Sequence, residues 1–362
     1  MRQPEDTARR PKRREAEHLS SSEIATDGDR TLPLVSIITP AYNRAGYLAE
    51  TIDSILSQDY PRIEYIVLDD GSTDDTPEVL GRYASRIRWE THPNMGETRT
   101  VNRGFALARG DIVAVVNSDD PLLPGAVSEA VAFLEAHPDI LVAYPDWNLV
   151  DHESKVIEHI QVREYDYLCV VKRHRCIVGP GAFVRRRAIE LAGLRDPSFK
   201  YVADFDFWLR VGLHGPFARI PRTLATFRVH PDSASESCRG REMAEEHIRL
   251  IEQFFSLPNL PAAVHQAKDE AFSWAHYVAG ISAGKARRTA WEHLVKSVRC
   301  YPRGILSQWT LVAAVALPRR LLQRLQQARR RIRSVLKRLR GAVRWTLKRQ
   351  GQKPEMPDCG KR

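Results

Sequence analysis

The run Ile112-Val113-Ala114-Val115-Val116-Asn117-Ser118-Asp119-Asp120-Pro121 sets the fold class of this 362-residue chain. Five consecutive apolar residues form a strand buried on both faces, the pattern of a parallel sheet. Two adjacent carboxylates, Asp119 and Asp120, then stand at its carboxyl end, where open α/β sheets bind their ligands. Like charges this close repel unless a cation or hydrogen-bond donors offset them. A hard divalent cation does so, and it also holds the phosphates of a nucleotide. The alternative is a turn with an Asx cap ahead of the proline.

The same grammar repeats on either side of this run. Apolar stretches at 35–39, 63–68, 87–91 and 141–144 read as further strands. Helical spacing over 48–56, 77–84, 98–108 and 126–136 places a helix between each pair. Strands alternating with helices of this length imply right-handed crossovers and an α/β domain with a mainly parallel central sheet. The regularity fades over 150–235, apart from a helix at 204–213. Helices at 241–256, 261–284 and 286–300 follow a Ser- and Gly-rich boundary near 235–240.

Composition separates the body from its ends. The formal charge is +10. Residues 319–349 alone hold thirteen Lys or Arg and no acid. The body is therefore weakly acidic, and its basic isoelectric point belongs to a tail. That argues against reading the body as a nucleic-acid binder. Five scattered cysteines without Cys-x-x-Cys spacing exclude a disulfide scaffold or zinc site of the usual spacing and suit a reducing compartment. Residues 1–31 are charged and proline-dotted, so they read as a disordered tail. They hold no apolar core of a secretory signal. The longest apolar stretch, 305–317, is shorter than the roughly 20 residues a bilayer span needs.

Two more loops carry polar groups at strand ends. In Thr39-Pro40-Ala41-Tyr42-Asn43 the Tyr42 ring either stacks on a flat base or lids the neighbouring helix. In Leu68-Asp69-Asp70-Gly71-Ser72, Asp70 either accepts from a base or ribose or caps the following helix. Gly71 permits close backbone approach there. Three acid- or aromatic-tipped loops at neighbouring ends of one sheet point to a shared crevice.

The segment VSIITPAYNRAGYLAETIDSILSQDYPRIEYIVLDDGSTDDT, followed by NMGETRTVNRGFALARGD and NSDDPLLPGAV, resembles glycosyltransferase family 2 over about residues 33–235. The resemblance implies an A-type glycosyltransferase fold: a Rossmann-like nucleotide-binding half fused to an acceptor-binding half. It also implies inverting transfer of a sugar from a nucleotide-diphosphate donor, with Mg²⁺ or Mn²⁺ as cofactor. By position in the motifs, Pro40 and Tyr42 fall where the family holds the base, Asp70 at the acid reading base or ribose, and Asn102 in the helix beside the donor. Asp119 matches the acid near donor sugar and ribose, Asp120 the metal-binding acid, and His230 a histidine that helps hold metal or diphosphate. Asp204, in Tyr201-Val202-Ala203-Asp204-Phe205-Asp206, matches the catalytic base that deprotonates the acceptor hydroxyl. Asp206 is its rival, and Asp204 as a helix cap is the other reading. Ala203 departs from the Glu usual before the base. The loop 177–185, with Gly179 and Gly181, resembles the acceptor side.

These expectations divide the chain into a polar tail (1–31), a catalytic domain (32–238), a helical extension (239–304), cationic amphipathic helices (305–350) and a short tail (351–362). Over 319–349, apolar residues step by three or four with Arg and Lys on the other faces. That pattern lies on anionic membranes. The expected partners are a nucleotide-diphosphate sugar (a UDP-sugar is favoured as the commonest family donor), a saccharide or lipid-linked acceptor, and an anionic membrane surface, with no nucleic acid. The expected place is the cytoplasm, peripherally on the inner face of the membrane, in cell-surface glycan synthesis. A nucleotide-sugar-binding module without turnover, or a nucleic-acid binder acting through the tail, are the alternatives.

Overall fold

The computed structural model describes residues 32–230, 240–283 and 286–302. The expectations for 1–31, for most of the boundary near 235–240, for the cationic helices at 305–350 and for the short tail at 351–362 lie outside the described residues. Strands β1 (Val35–Ala41), β2 (Ile63–Asp69), β3 (Arg88–Thr91) and β4 (Ile112–Val115) pair in parallel in the order β3-β2-β1-β4. The chain leaves β1 toward β2 and β3, then returns to β4 on the other side of β1. Their carboxyl ends therefore border a topological switch point, where such sheets open a crevice.

Period-two alternation explains why both faces are apolar. Val35, Ile37, Ile112 and Ala114 pack on one face with α1 (Ala45–Leu56), α2 (Thr76–Arg82) and α4 (Ala126–Ala136). Ile38, Ile66 and Val113 pack on the other against Val101 and Phe105 of α3 (Glu97–Leu107). Each such fully buried aliphatic contributes about 1.5–3 kcal/mol of transfer free energy, so the sheet is pinned from both sides.

Beyond α4 the sheet becomes mixed. Strand β5 (Val142–Val150) pairs antiparallel with β6 (Val156–Ile160) and, with β4, flanks the antiparallel β7 (Phe183–Arg185). Helices α5 (Tyr167–Arg173), α6 (Arg186–Ala192) and α7 (Ala203–Val211) precede β8 (Phe217–Arg228), which runs parallel to β5. The strand expected at 141–144 thus continues to Val150, through Pro145. A register shift between Pro145 and Asp146 accommodates it, since proline has no N–H for the ladder. The twelve residues of β8 escaped the sequence reading because Pro221 and three arginines interrupt its apolar pattern.

Helices α8 (Arg241–Ser256), α9 (Ala262–Gln266), α10 (Lys268–Ser282) and α11 (Arg287–Cys300) follow. The single helix expected over 261–284 is two, parted at Ala267. Leu250, Ile251 and Phe254 of α8 and Ala271 and Ala275 of α10 share a core with Val171, Phe205 and Leu209. The helical extension is therefore built into the second half of the domain.

Candidate active site

Hydrogen bonds stitch the loops after β1 and β2 together. Asp70 N–H donates to the Ala41 carbonyl at 2.8 Å, Asn43 N–H to Ser72 Oγ at 2.9 Å, and Thr73 N–H to Asn43 Oδ1 at 2.8 Å. Gly71, at φ +73°, lies so close to the 92–94 backbone that a Cβ would stand 2.8 Å from Asn94 N. That position needs glycine on both counts. The acid loop after β4 is held from the opposite side. Leu123 N–H donates to Leu224 O at 2.9 Å and Thr226 Oγ1 to Pro121 O at 2.7 Å, so the end of β8 grips the loop 117–123.

The two acids of that loop, Asp119 and Asp120, face different ways. Asp120 is 3% exposed. Its Oδ1 accepts Arg228 N–H at 2.8 Å and its Oδ2 accepts Asn117 Nδ2 at 3.0 Å. Burial, and then the neighbouring Asp119 charge, push its carboxyl up to about 7. Asp119 instead reaches the crevice, where His230 Nε2 lies 2.9 Å and Arg44 Nε 3.4 Å from its Oδ2. His230 thus stands beside Asp119, and Asp120 points into the protein.

Arg228 organises this side. Almost wholly buried, it donates to Asp119 O (3.0 Å), Ser154 Oγ (2.9 Å), Asp151 O (3.2 Å) and Glu50 Oε2 (2.7 Å). Its guanidinium also lies 5.0 Å from the Tyr47 ring centre, and Tyr47 in turn packs 4.7 Å from the His230 ring. Sequence reasoning passed over Arg228, Glu50 and Tyr47 because their partners lie up to 178 positions away.

Other expected residues fall less simply. Tyr42 is 46% exposed, so its ring is open for stacking. Pro40 is buried inside β1, paired with Leu68; it shapes the loop and offers no surface to a base. The Asp70 oxygens accept Met95 N–H at 2.7 Å and Gly96 N–H at 3.0 Å. That carboxylate fastens the loop leading into α3. Asn102 exchanges two bonds with the Arg195 backbone, at 2.8 and 3.0 Å, so its carboxamide clamps α3 to the loop after α6 and is not turned to a donor.

Across the crevice, Asp204 and Asp206 separate cleanly. Asp206 is buried and takes Nε and Nη2 of Arg210 at 3.0 and 2.7 Å; burial raises its pKa while Arg210 opposes that rise. Asp204 is exposed in the first turn of α7. It is no helix cap, since Val202 holds that position without a side-chain bond. Glu97, at the start of α3, lies within electrostatic reach of Arg195, Asp204, Asp119 and Arg44 together. Glu97, Arg44 and Arg195 were not singled out in the sequence, although Glu97 lies in a segment that carries the resemblance.

No group of three or more His, Cys, Asp or Glu able to hold a metal ion occurs among the described residues. A site of one carboxylate and one imidazole still fits a hard divalent cation, which commonly takes one or two protein carboxylates and completes its shell with substrate phosphates and water.

Comparison with known proteins bears on this arrangement. A model described as glycosyl transferase family 2 matches residues 36–192. An uncharacterized glycosyltransferase of Haemophilus influenzae is 30% identical over 184 residues, covering 49% of this chain and 71% of that protein. The chain belongs to glycosyltransferase family 2. Another uncharacterized glycosyltransferase, from Rickettsia prowazekii, is 31% identical over 186 residues, 49% of this chain. The match spans 58% of that relative's length. Among solved structures, S. aureus TarS 1–349 in complex with UDP-GlcNAc superposes with a TM-score of 0.59 at 18% identity, covering 78% of this chain and 87% of that one. The mannosyltransferase PcManGT of Pyrobaculum calidifontis, in complex with GDP-Man and Mn²⁺, gives 0.53 at 19%, covering 82% and 85%. At such identities the likeness is one of fold, the A-type glycosyltransferase fold. In this family member the matched stretch ends at Ala192, before α7, so Asp204 and His230 both lie outside it.

Proposed function

We propose that this protein is an inverting glycosyltransferase that moves a sugar from a nucleotide-diphosphate donor to a hydroxyl of a saccharide or lipid-linked acceptor. The observation that carries the reading is Asp119 at the carboxyl end of β4 beside His230 and Arg44, together with the exposed Asp204 in the first turn of α7, both of whose charges act on Glu97. The donor lies on the β1–β4 side, with the Tyr42 ring on the base and Asp119, His230 and Arg44 about the diphosphate. Asp119 and His230 are the residues that would hold Mg²⁺ or Mn²⁺; that cation, when bound, offsets charge on the departing diphosphate. Asp120 and Arg228 set the direction of that loop. Asp204 accepts the proton of the acceptor hydroxyl as its oxygen attacks the anomeric carbon. A uridine donor is favoured, in keeping with the UDP-GlcNAc bound to TarS. A role in cell-surface glycan synthesis and peripheral attachment through the basic 319–349 segment complete the proposal. No described helix is long and apolar enough to cross a membrane.

A thermal-shift screen of nucleotide sugars with Mn²⁺ tests the donor half, because a ligand that binds the folded state raises Tm by mass action. One donor should raise Tm in wild type and lose that effect in Asp119→Ala. A screen in which no nucleotide sugar moves Tm, with or without cation, would sink the reading.

A further inference from the structure

Asp204 has a second neighbourhood that the donor side does not explain. It stands on the wall of a cavity of about 500 Å³ between α7 and the helical extension, within the range of small-ligand sites. Phe205, Tyr201, Trp274 and Tyr277 supply aromatic surface there, and Arg175 and His247 supply polar groups. Aromatic faces beside a carboxylate and N–H donors match what a pyranose presents: an apolar C–H face and a rim of hydroxyls.

The histidines sharpen this. His174 Nε2 lies 3.2 Å from His247 Nδ1, and both rings are buried. His174 Nδ1 has no partner among the described residues, and neither does Trp274 Nε1. Both residues line the same cavity. A buried lone pair costs less to leave unmet than a buried N–H. The favoured tautomers therefore put the shared proton on His174 Nε2 and leave His247 with a Nε2–H, the donor it offers the cavity. Unmet buried polar groups gathered at one place call for a ligand or water.

Helix α8 does more than close the space. Its Glu246 accepts Lys200 N–H at 2.9 and 3.1 Å and Tyr201 N–H at 2.8 Å. Three residues later Arg249 Nη2 donates to Ser198 O at 2.7 Å. These bonds hold the chain that delivers Asp204.

We propose that the cavity bounded by α5, α7, α8 and α10 is the acceptor pocket, taking the terminal pyranose of a saccharide, with His247 a hydroxyl-recognising residue and Glu246 a positioning residue for Asp204. This rests on the glycosyl-transfer reading. In the step it serves, an acceptor oxygen bonds to the donor's anomeric carbon and its proton passes to Asp204. The bond from that carbon to the diphosphate breaks, and its electron pair leaves with the nucleoside diphosphate.

Saturation-transfer NMR on the full chain tests it, with the methyl pyranosides of glucose, galactose, mannose and N-acetylglucosamine as probes and UDP binding followed separately. At least one pyranoside should receive saturation from wild type. Its affinity should fall about tenfold, roughly 1.4 kcal/mol, in Trp274→Ala and in the exposed-site variant Arg175→Ala, with UDP binding unchanged. Glu246→Gln should lower the turnover number for transfer while leaving UDP and pyranoside affinities as they are. The pocket is rejected if wild type binds UDP but none of the pyranosides, or if both cavity variants bind them like wild type. Pyranoside binding without any nucleotide binding would keep the pocket and overturn the transfer reading instead.

Discussion

Single side chains here carry distinct and separable duties. Asp204→Asn keeps the shape of the group and removes its basicity. Transfer should fall about 100- to 10,000-fold, with donor affinity by calorimetry unaltered; an unchanged rate would shift the base elsewhere. Asp120 makes a prediction of opposite character. Burial and Asp119 raise its carboxyl to about 7, above the unfolded value near 4. A raised carboxyl favours the fold while protonated, so its stability is whole below pH 4 and drains away as pH climbs through 7. In cation-free protein, Asp120→Asn should therefore gain Tm over wild type between pH 5 and 8, and a constant difference across that span would refute the assignment. Arg228, which joins Asp119, Ser154, Asp151 and Glu50, should cost about 3–5 kcal/mol when cut to alanine, measured by urea unfolding, because Glu50 and several oxygens lose their donor together.

At the level of elements, β8 and α8 are the long-range organisers. The first pins the acid loop through Leu224, Thr226 and Arg228; the second pins the lead-in to α7 through Glu246 and Arg249. The extension also contains an acid weakness. Burial lowers His247 to about 4, and burial, then His293 and Lys296, lower His276 to about 4. Histidine in the unfolded chain titrates near 6.5, so unfolding takes up protons between those values. The stability these two histidines contribute should be complete above pH 6.5 and drop by about 1–3 kcal/mol per site as pH falls toward 4. Thermal melts across that range check this, and His276→Gln, which cannot become charged, should flatten the decline. A wild-type Tm that falls no faster than that of His276→Gln from pH 7 to 4.5 would contradict it.

For the whole molecule, the proposed membrane contact gives a test of its own. Full-length protein should co-sediment with anionic vesicles and be released by salt, while neutral vesicles leave it in solution; equal partition onto both would remove the membrane from the account. How much could be read in advance varied with the range of the interactions. The alternation of apolar strands and amphipathic helices over 35–136 was legible because each element's buried face is written in its own periodicity, and α4 and α8 agree with their sequence boundaries to the residue. Tyr42 and Asp119 were singled out by their positions at strand ends, and Asp204 by the family resemblance. What they touch was not legible. Asp119 and Asp120 are chemically identical neighbours, and only the approach of β8 turns one inward to Arg228 N–H and leaves the other with His230. Likewise Asp206 is withdrawn by Arg210, while Asp204 stays open on a cavity whose far wall comes from helices some forty to seventy residues later. The sequence by itself thus determined the layers of the fold and the candidate residues for the chemistry, since periodicity and local turn signals act over a few residues. Tertiary structure alone determined which carboxylates are free to act, because burial and hydrogen-bond partners depend on segments far apart in the chain.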